Sequence, residues 1–230
     1  MSKLHPLVFL FDVDNTLLDN DRVERDLRSH LARSFGVVAR SRYFEIFEEL
    51  RRELGYADYL GALERYRLEA LHDPRVLRMS TWLVDYPFAR RLYPAALAVV
   101  RRTRRWGIPV ILSDGDAVFQ PRKVERSGLW RAFCGHVLIY VRKERALGEV
   151  ERLYPARHYV MIDDKQRILD SVKQTWGERV TTVLPQQGHY ANDPGNAARY
   201  RPADITVGRI GDLLAYQRSA LLAADSRQIG

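Results

Sequence analysis

Cysteine is almost missing from this chain, with Cys134 alone among 230 residues. That excludes an intrachain disulfide, and without a Cys/His cluster at ligand spacing it also argues against a structural zinc site. Cys134 is then expected to be a small core residue. Long apolar runs are missing too. The opening one, Leu7 to Phe11, is interrupted at Asp12, too short for a signal-peptide core or a membrane span. The expectation is a cytoplasmic protein with no membrane partner. Internal repeats, low-complexity tracts and a long basic tail are also lacking.

What is present is a chain 46% hydrophobic and 29% charged, long enough for one sizeable core and a smaller lobe. Lys and Arg number 37 against 29 Asp and Glu, for a formal charge of +8. Such a balance favours an anionic partner or substrate. The excess comes as scattered pairs such as Arg51-Arg52 and Arg101-Arg102, which read mostly as solvated helix faces.

The run from Leu7 is continuous and apolar up to Asp12, as in a parallel strand buried on both faces. From about Val23 to Leu71 the spacing is helical, with Leu27, Leu31 and Phe35 in one stretch and Phe44, Phe47, Leu50 and Leu54 in another. Tyr93-Pro94 then opens a helix through Trp106, Gly107 stops it, and a strand follows over Ile108 to Ser113. Further strands are expected at Val137 to Val141, Tyr159 to Ile162, Val180 to Leu184 and Ile205 to Val207. Helices are expected near Glu144 to Leu153, over Gln166 to Trp176, and through about Arg218. This alternation predicts an α/β fold with a doubly wound parallel sheet and right-handed crossovers. The core would comprise 1–17 and 93–230, with 18–92 inserted as a helical cap. Residues 185–203 lack periodicity and form an unusually long loop.

Three strand ends carry candidate chemistry, and in open α/β sheets ligands bind at the carboxyl ends of strands. In Asp12-Val13-Asp14-Asn15-Thr16 the two acids lie two residues apart and face one side. Their repulsion suits a hard cation such as Mg²⁺, or a shared proton. In Ser113-Asp114-Gly115-Asp116 a hydroxyl and backbone amides around Gly115 can hold phosphoryl oxygens; alone, this run would equally serve as a helix cap. Asp163-Asp164-Lys165 ends a third apolar strand. Lys143 begins the helix before that strand and reaches the same edge, with Lys123 and Lys165 as competitors for the role.

In this order, and with a helical insert after the first, these motifs resemble the haloacid dehalogenase superfamily over nearly the whole chain. The resemblance implies a phosphatase acting on a small anionic phosphate monoester, with a Rossmann-like core. Asp12 would be the nucleophile that becomes an aspartyl-phosphate, and Asp14 the acid and then the base. Mg²⁺ would be held by Asp12, the Asp14 carbonyl and Asp163, with Asp164 beside them orienting Lys143 or water. Ser113, Asp114, Gly115 and Lys143 would bind the phosphoryl group. Members resembling true dehalogenases lack the second acid of the first motif, so Asp14 favours phosphatase; a phosphomutase would use the same residues.

Asp116 and Lys165 depart from the usual pattern of such motifs. A different class of reading, a nucleic-acid or protein-binding module of little turnover, rests on the basic charge and the Arg/Tyr interleaving of the insert. The complete acid, hydroxyl and lysine set speaks against it, as does the lack of a nucleic-acid motif.

Overall fold

A computed structural model describes residues 4–222; the outermost residues of the expected core, 1–3 and 223–230, lie outside it. Six parallel strands form one sheet: β1 His5–Phe11, β2 Ile108–Asp114, β3 Val137–Tyr140, β4 Ala156–Ile162, β5 Val180–Pro185 and β6 Ile205–Val207, in the order β3-β2-β1-β4-β5-β6. This is the doubly wound order, and its direction reverses beside β1, where the crevice for a ligand opens at the carboxyl ends.

The alternation of β1 explains why its whole run is apolar. Leu7, Phe9 and Phe11 enter one buried cluster, while Val8 and Leu10 enter the other on the opposite face, the period of two that a strand imposes. Register then sets the site: Phe11 pairs with Ile111 of β2 and with Ile162 of β4, so Asp12 and Asp163 each stand one step beyond paired residues.

Twelve α-helices are described: α1 Asn20–Phe35, α2 Val37–Leu54, α3 Tyr59–Glu69, α4 Val76–Asp85, α5 Ala96–Thr103, α6 Phe119–Arg126, α7 Leu129–Ala132, α8 Leu147–Leu153, α9 Gln166–Trp176, α10 Gly188–Ala191, α11 Pro194–Arg199 and α12 Arg218–Leu222. Helix α1 starts where Asp19 accepts from the Arg22 amide at 2.8 Å, and it buries Val23, Leu27 and Leu31 on one stripe. Helix α2 ends at Gly55, which takes φ +84° and donates its N–H to Arg51, a left-handed stop that suits glycine.

The helical segment joins the sheet through a narrow neck. Leu18 bridges Leu92 antiparallel, the Asp19 amide donates to the Arg91 carbonyl at 2.7 Å, and the Tyr93 amide donates to the Leu17 carbonyl at 2.9 Å. Its apolar interior is nonetheless continuous with the sheet's: Tyr59 and Phe88 lie 5.3 and 5.7 Å from the Phe119 ring of α6.

Four expectations are corrected. Cys134 is exposed, in a tight turn with φ +54°. Lys143 lies in a 3₁₀ turn, Lys143–Arg145, and α8 begins only at Leu147. The last helix is divided into a 3₁₀ segment, Ile210–Ala215, and α12. The expected loop over 185–203 contains α10 and α11.

Candidate active site

The sheet pairing continues past β1, because the Asp12 amide donates to the Ile162 carbonyl at 2.9 Å. The chain then turns back on itself. The amides of Thr16, Leu17 and Leu18 all converge on the Val13 carbonyl, and Asn15 adopts φ +58°. Beyond β4, the Asp163 amide donates to the Val183 carbonyl at 3.1 Å, and the Asp164 amide to the Thr16 hydroxyl at 3.0 Å. These bonds latch the two acidic turns together. Asp12, Asp163 and Asp164 are buried and offer oxygens within 4.8 Å of one another.

Lys143 closes the group from the 3₁₀ turn that follows β3. Its fully buried ammonium meets Asp12 Oδ1, and it lies 2.6 Å from Asp163 Oδ2. Burial alone would lower a lysine pKa, but Asp12, Asp163 and Asp114 outweigh it and hold Lys143 well above its usual value. Burial pushes the Asp163 carboxyl up to about 6 against the pull of Lys143. Asp164, also desolvated, is raised well above the ordinary carboxylate range.

Asp12 Oδ2 and both oxygens of Asp164 are buried without a hydrogen-bond partner among the described residues. Orphaned buried oxygens are costly, and a cluster of hard carboxylate donors is what a small divalent cation satisfies. The residues therefore fit such an ion.

The Asp14 carboxylate stands outside this triad. It lies against α6, where Lys123 Nζ bonds its two oxygens at 2.7 and 2.9 Å and also reaches Asn20 Oδ1 at 3.0 Å. Gln120, one turn earlier on the same face, donates to Ser113 Oγ at 2.9 Å and approaches Asp14 at 3.4 Å. The three lysines thus separate. Lys143 holds Asp12 and Asp163, Lys123 holds Asp14, and Lys165 lines the cavity outside.

One phosphate-binding expectation changes. The Gly115 N–H is engaged by the Tyr140 carbonyl at 2.9 Å, so it continues the β2–β3 pairing and is not free for a ligand. A Cβ there would stand 2.5 Å from Gln120 Cβ; glycine allows α6 to approach. Asp114 accepts from the Lys143 amide at 2.8 Å, which fixes the turn carrying Lys143. Asp116 caps the start of α6, accepting from Val118 and Phe119 at 2.7 and 2.6 Å.

Sequence reading missed Gln187. Its buried side chain donates to the Asn15 and Thr16 carbonyls at 3.2 and 3.1 Å and accepts from the Ile210 amide at 2.6 Å. Nearby, His189 bonds Asp21, which bonds Asn15 in turn. Gly188, at φ +69°, packs so closely that a Cβ would meet Asn15 at 2.5 Å. The segment after β5 is a strap over the first acidic turn. Its lack of periodicity marked it as irregular but not as packed there.

The comparisons agree with this geometry. A family model described as haloacid dehalogenase-like hydrolase matches residues 7–174. A haloacid dehalogenase-like hydrolase from Burkholderia xenovorans LB400 is 61% identical, over 93% of this chain and 99% of that one, and its crystal structure has a TM-score of 0.89. An L-2-haloacid dehalogenase from Xanthobacter autotrophicus (18% identical, 90% and 96% covered, TM-score 0.59) shares the fold. So does the magnesium-bound HAD-hydrolase YfnB of Bacillus subtilis (16% identical, 93% and 98% covered, TM-score 0.59). None of the curated proteins matches the chain. No helix among the described residues is long and apolar enough to cross a membrane. With the motifs in order on one sheet edge and most of its length matched by the family model, the chain belongs to the haloacid dehalogenase-like hydrolases.

Proposed function

We propose that this hydrolase is a Mg²⁺-dependent phosphatase that hydrolyses a small phosphate monoester through an aspartyl-phosphate on Asp12. The observation that carries the reading is Asp14, a second acid held by Lys123 beside Ser113. Halide departure needs no proton, whereas an alkoxide leaving phosphorus does.

Asp12 attacks phosphorus, the ester P–O bond breaks, and Asp14 gives its proton to the departing oxygen. Asp14 then takes a proton from water as that water attacks phosphorus, which releases inorganic phosphate and restores Asp12. Lys143 and the Ser113 hydroxyl bind the phosphoryl oxygens. Asp12 and Asp163, with Asp164 and the Asp14 carbonyl, would hold Mg²⁺, which would supply the positive charge that lets an anionic ester approach carboxylates. The helices over 18–92 act as a cap that limits water at the covalent intermediate.

The test is phosphate release from an aryl phosphate with and without Mg²⁺, beside a folded Asp12→Asn variant. Metal-dependent turnover that falls at least about a thousandfold in the variant supports the reading. Halide release from a 2-haloacid, with no turnover of any phosphate ester in a panel, would replace it with dehalogenation.

A further inference from the structure

Outside the acidic centre, a cavity bounded by Asp14, Phe47 and Tyr59 continues into a more polar cleft beside Gln166 and Tyr200, and Arg51, Gly55, Lys165 and Tyr190 line both. Asp12, Ser113 and Lys143 line neither space. Asp14 borders the first of them, so under the phosphatase reading the shared wall lies on the side of the departing oxygen.

That wall is cationic. Lys165 Nζ stands 5.2 Å from the Tyr190 ring centre, and the Arg51 guanidinium stands 5.4 Å from the same ring. Among the described residues the Lys165 ammonium has no hydrogen bond or salt bridge to a carboxylate, although the buried acids Asp12, Asp164 and Asp163 attract it from beyond contact and raise its pKa. Among the described residues Arg51 pairs with Glu48 alone, three residues away on its own helix at 3.2 Å, a half-exposed pairing that holds a side chain weakly. Arg142 packs against Gly55, close enough for a Cβ there to meet its Nε at 3.3 Å. The acids bordering these spaces already have partners. Glu24 is held by Arg28 at 2.7 Å, Asp14 by Lys123, Asp114 by the Lys143 amide, and Asp193 by the Gly195 amide at 2.9 Å.

We infer that Lys165 and Arg51, set about the Tyr190 ring, form a subsite for a second anionic group on the leaving portion of the substrate. The substrate class is then a small phosphate ester that also carries a carboxylate or a second phosphoryl group. An ammonium from the core and a guanidinium from α2 would grip that group from two sides, and charge-assisted bonds of this kind are the strong ones. The same contact draws the helical segment toward the core when the correct ester is bound.

The inference rests on the phosphatase reading, and its test is kept separable from it. The kcat/KM of the wild type is measured for ethyl phosphate against 2-phosphoglycolate, and for glycerol 3-phosphate against 3-phosphoglycerate and a propanediol bisphosphate. These pairs vary reach, and they separate carboxylate from phosphoryl. The same ratios are taken for Lys165→Met and Arg51→Met, with folding checked by circular dichroism. Affinities for phosphonoacetate and ethylphosphonate, which cannot turn over, are measured by calorimetry on all three proteins. The expected result is a preference of about tenfold or more for a doubly anionic ester, and the same order for phosphonoacetate, falling toward one in each variant. Equal kcat/KM for both members of every pair overturns the subsite while leaving the phosphatase standing. A preference that persists undiminished in both variants overturns the assignment to Lys165 and Arg51. If no ester turns over, the phosphatase reading fails, and the phosphonate ratios still decide whether the second anion site exists.

Discussion

Lys123 Nζ grips both oxygens of Asp14, at 2.7 and 2.9 Å, from a position only 1% exposed. The lysine stands on α6, 109 residues from its partner in sequence, and the apolar contacts of Phe119 and Val124 seat that helix against the site. A carboxylate gripped in this way has one orientation. Catalysis by proton transfer depends on that orientation more than on the mere presence of an acid.

Lys123→Met is expected to lower kcat about ten- to a hundredfold on esters with poor leaving groups, and much less on 2,4-dinitrophenyl phosphate, whose leaving group needs little protonation. Lys123→Arg, which keeps the charge but not the point geometry, should recover part of the loss. Equal losses for good and poor leaving groups would show that Lys123 serves only stability.

The three clustered acids make a prediction that needs no substrate. Ligand binding to the folded state alone raises stability as concentration passes the dissociation constant, so millimolar Mg²⁺ should raise the melting temperature of the wild type by several degrees. Asp163→Asn should remove that shift. In metal-free buffer Asp164→Asn should melt above the wild type, because it replaces a buried carboxyl without hydrogen-bond partners by a neutral amide. A lower metal-free melting temperature for Asp164→Asn would mean that the Lys165 and Lys143 ammoniums already hold its charge without a metal ion.

Much of this site was legible in the sequence because the signal is local. Asp12, Ser113 and Asp163 each end an apolar run, and a parallel sheet brings run ends to one edge whatever lies between them. The insert was legible from helical spacing alone. What sequence hid are the contacts that follow from packing. Gln120 and Lys123 share a face of α6 at i, i+3, but a polar pair at that spacing reads as a solvated stripe until the helix is docked. Gln187 carries no pattern at all; its role arises because β5 ends beside the first acidic turn. Gly115 misled because a glycine after a strand suits an anion cradle as well as it suits close helix packing, and only the Gln120 contact distinguishes them.

A pH effect on stability is expected at the root of the helical segment. Asp26 accepts from the Tyr86 hydroxyl and from Arg91 Nη2 at 2.7 Å, while Arg91 Nε donates to Tyr86 at 2.6 Å. Partial burial pushes the Asp26 carboxyl up, but the bonds from Tyr86 and Arg91 outweigh it, and its pKa ends below the ordinary 3.8. The folded state then holds fewer protons than the unfolded one. The contribution is complete above pH 3.8 and lost as pH falls through the depressed folded value. Asp26→Asn should cost about 1 kcal/mol in urea melts near neutrality. The difference from wild type should shrink only in acid below the unfolded pKa. A difference constant from pH 7 to pH 3 would assign the cost to geometry and not to charge.

The strap over the first acidic turn separates buried from exposed hydrogen bonds. Gln187 and His189 both reach that turn, yet Gln187 is 7% exposed and binds three backbone groups. The His189 side chain is 52% exposed and meets a carboxylate. Removing the glutamine amide leaves buried carbonyls of Asn15 and Thr16 and the Ile210 amide without their partner, at a cost of about 1–3 kcal/mol. The turn that aims Asp12 and Asp14 is loosened at the same time. His189→Ala leaves only a solvent-accessible Asp21, with an expected change within about 0.5 kcal/mol. Gln187→Ala should therefore lower both the urea midpoint and kcat, with kcat falling more than stability alone explains when assayed well below the melting temperature. Equal, small effects of the two variants would mean that the strap covers the turn without holding it.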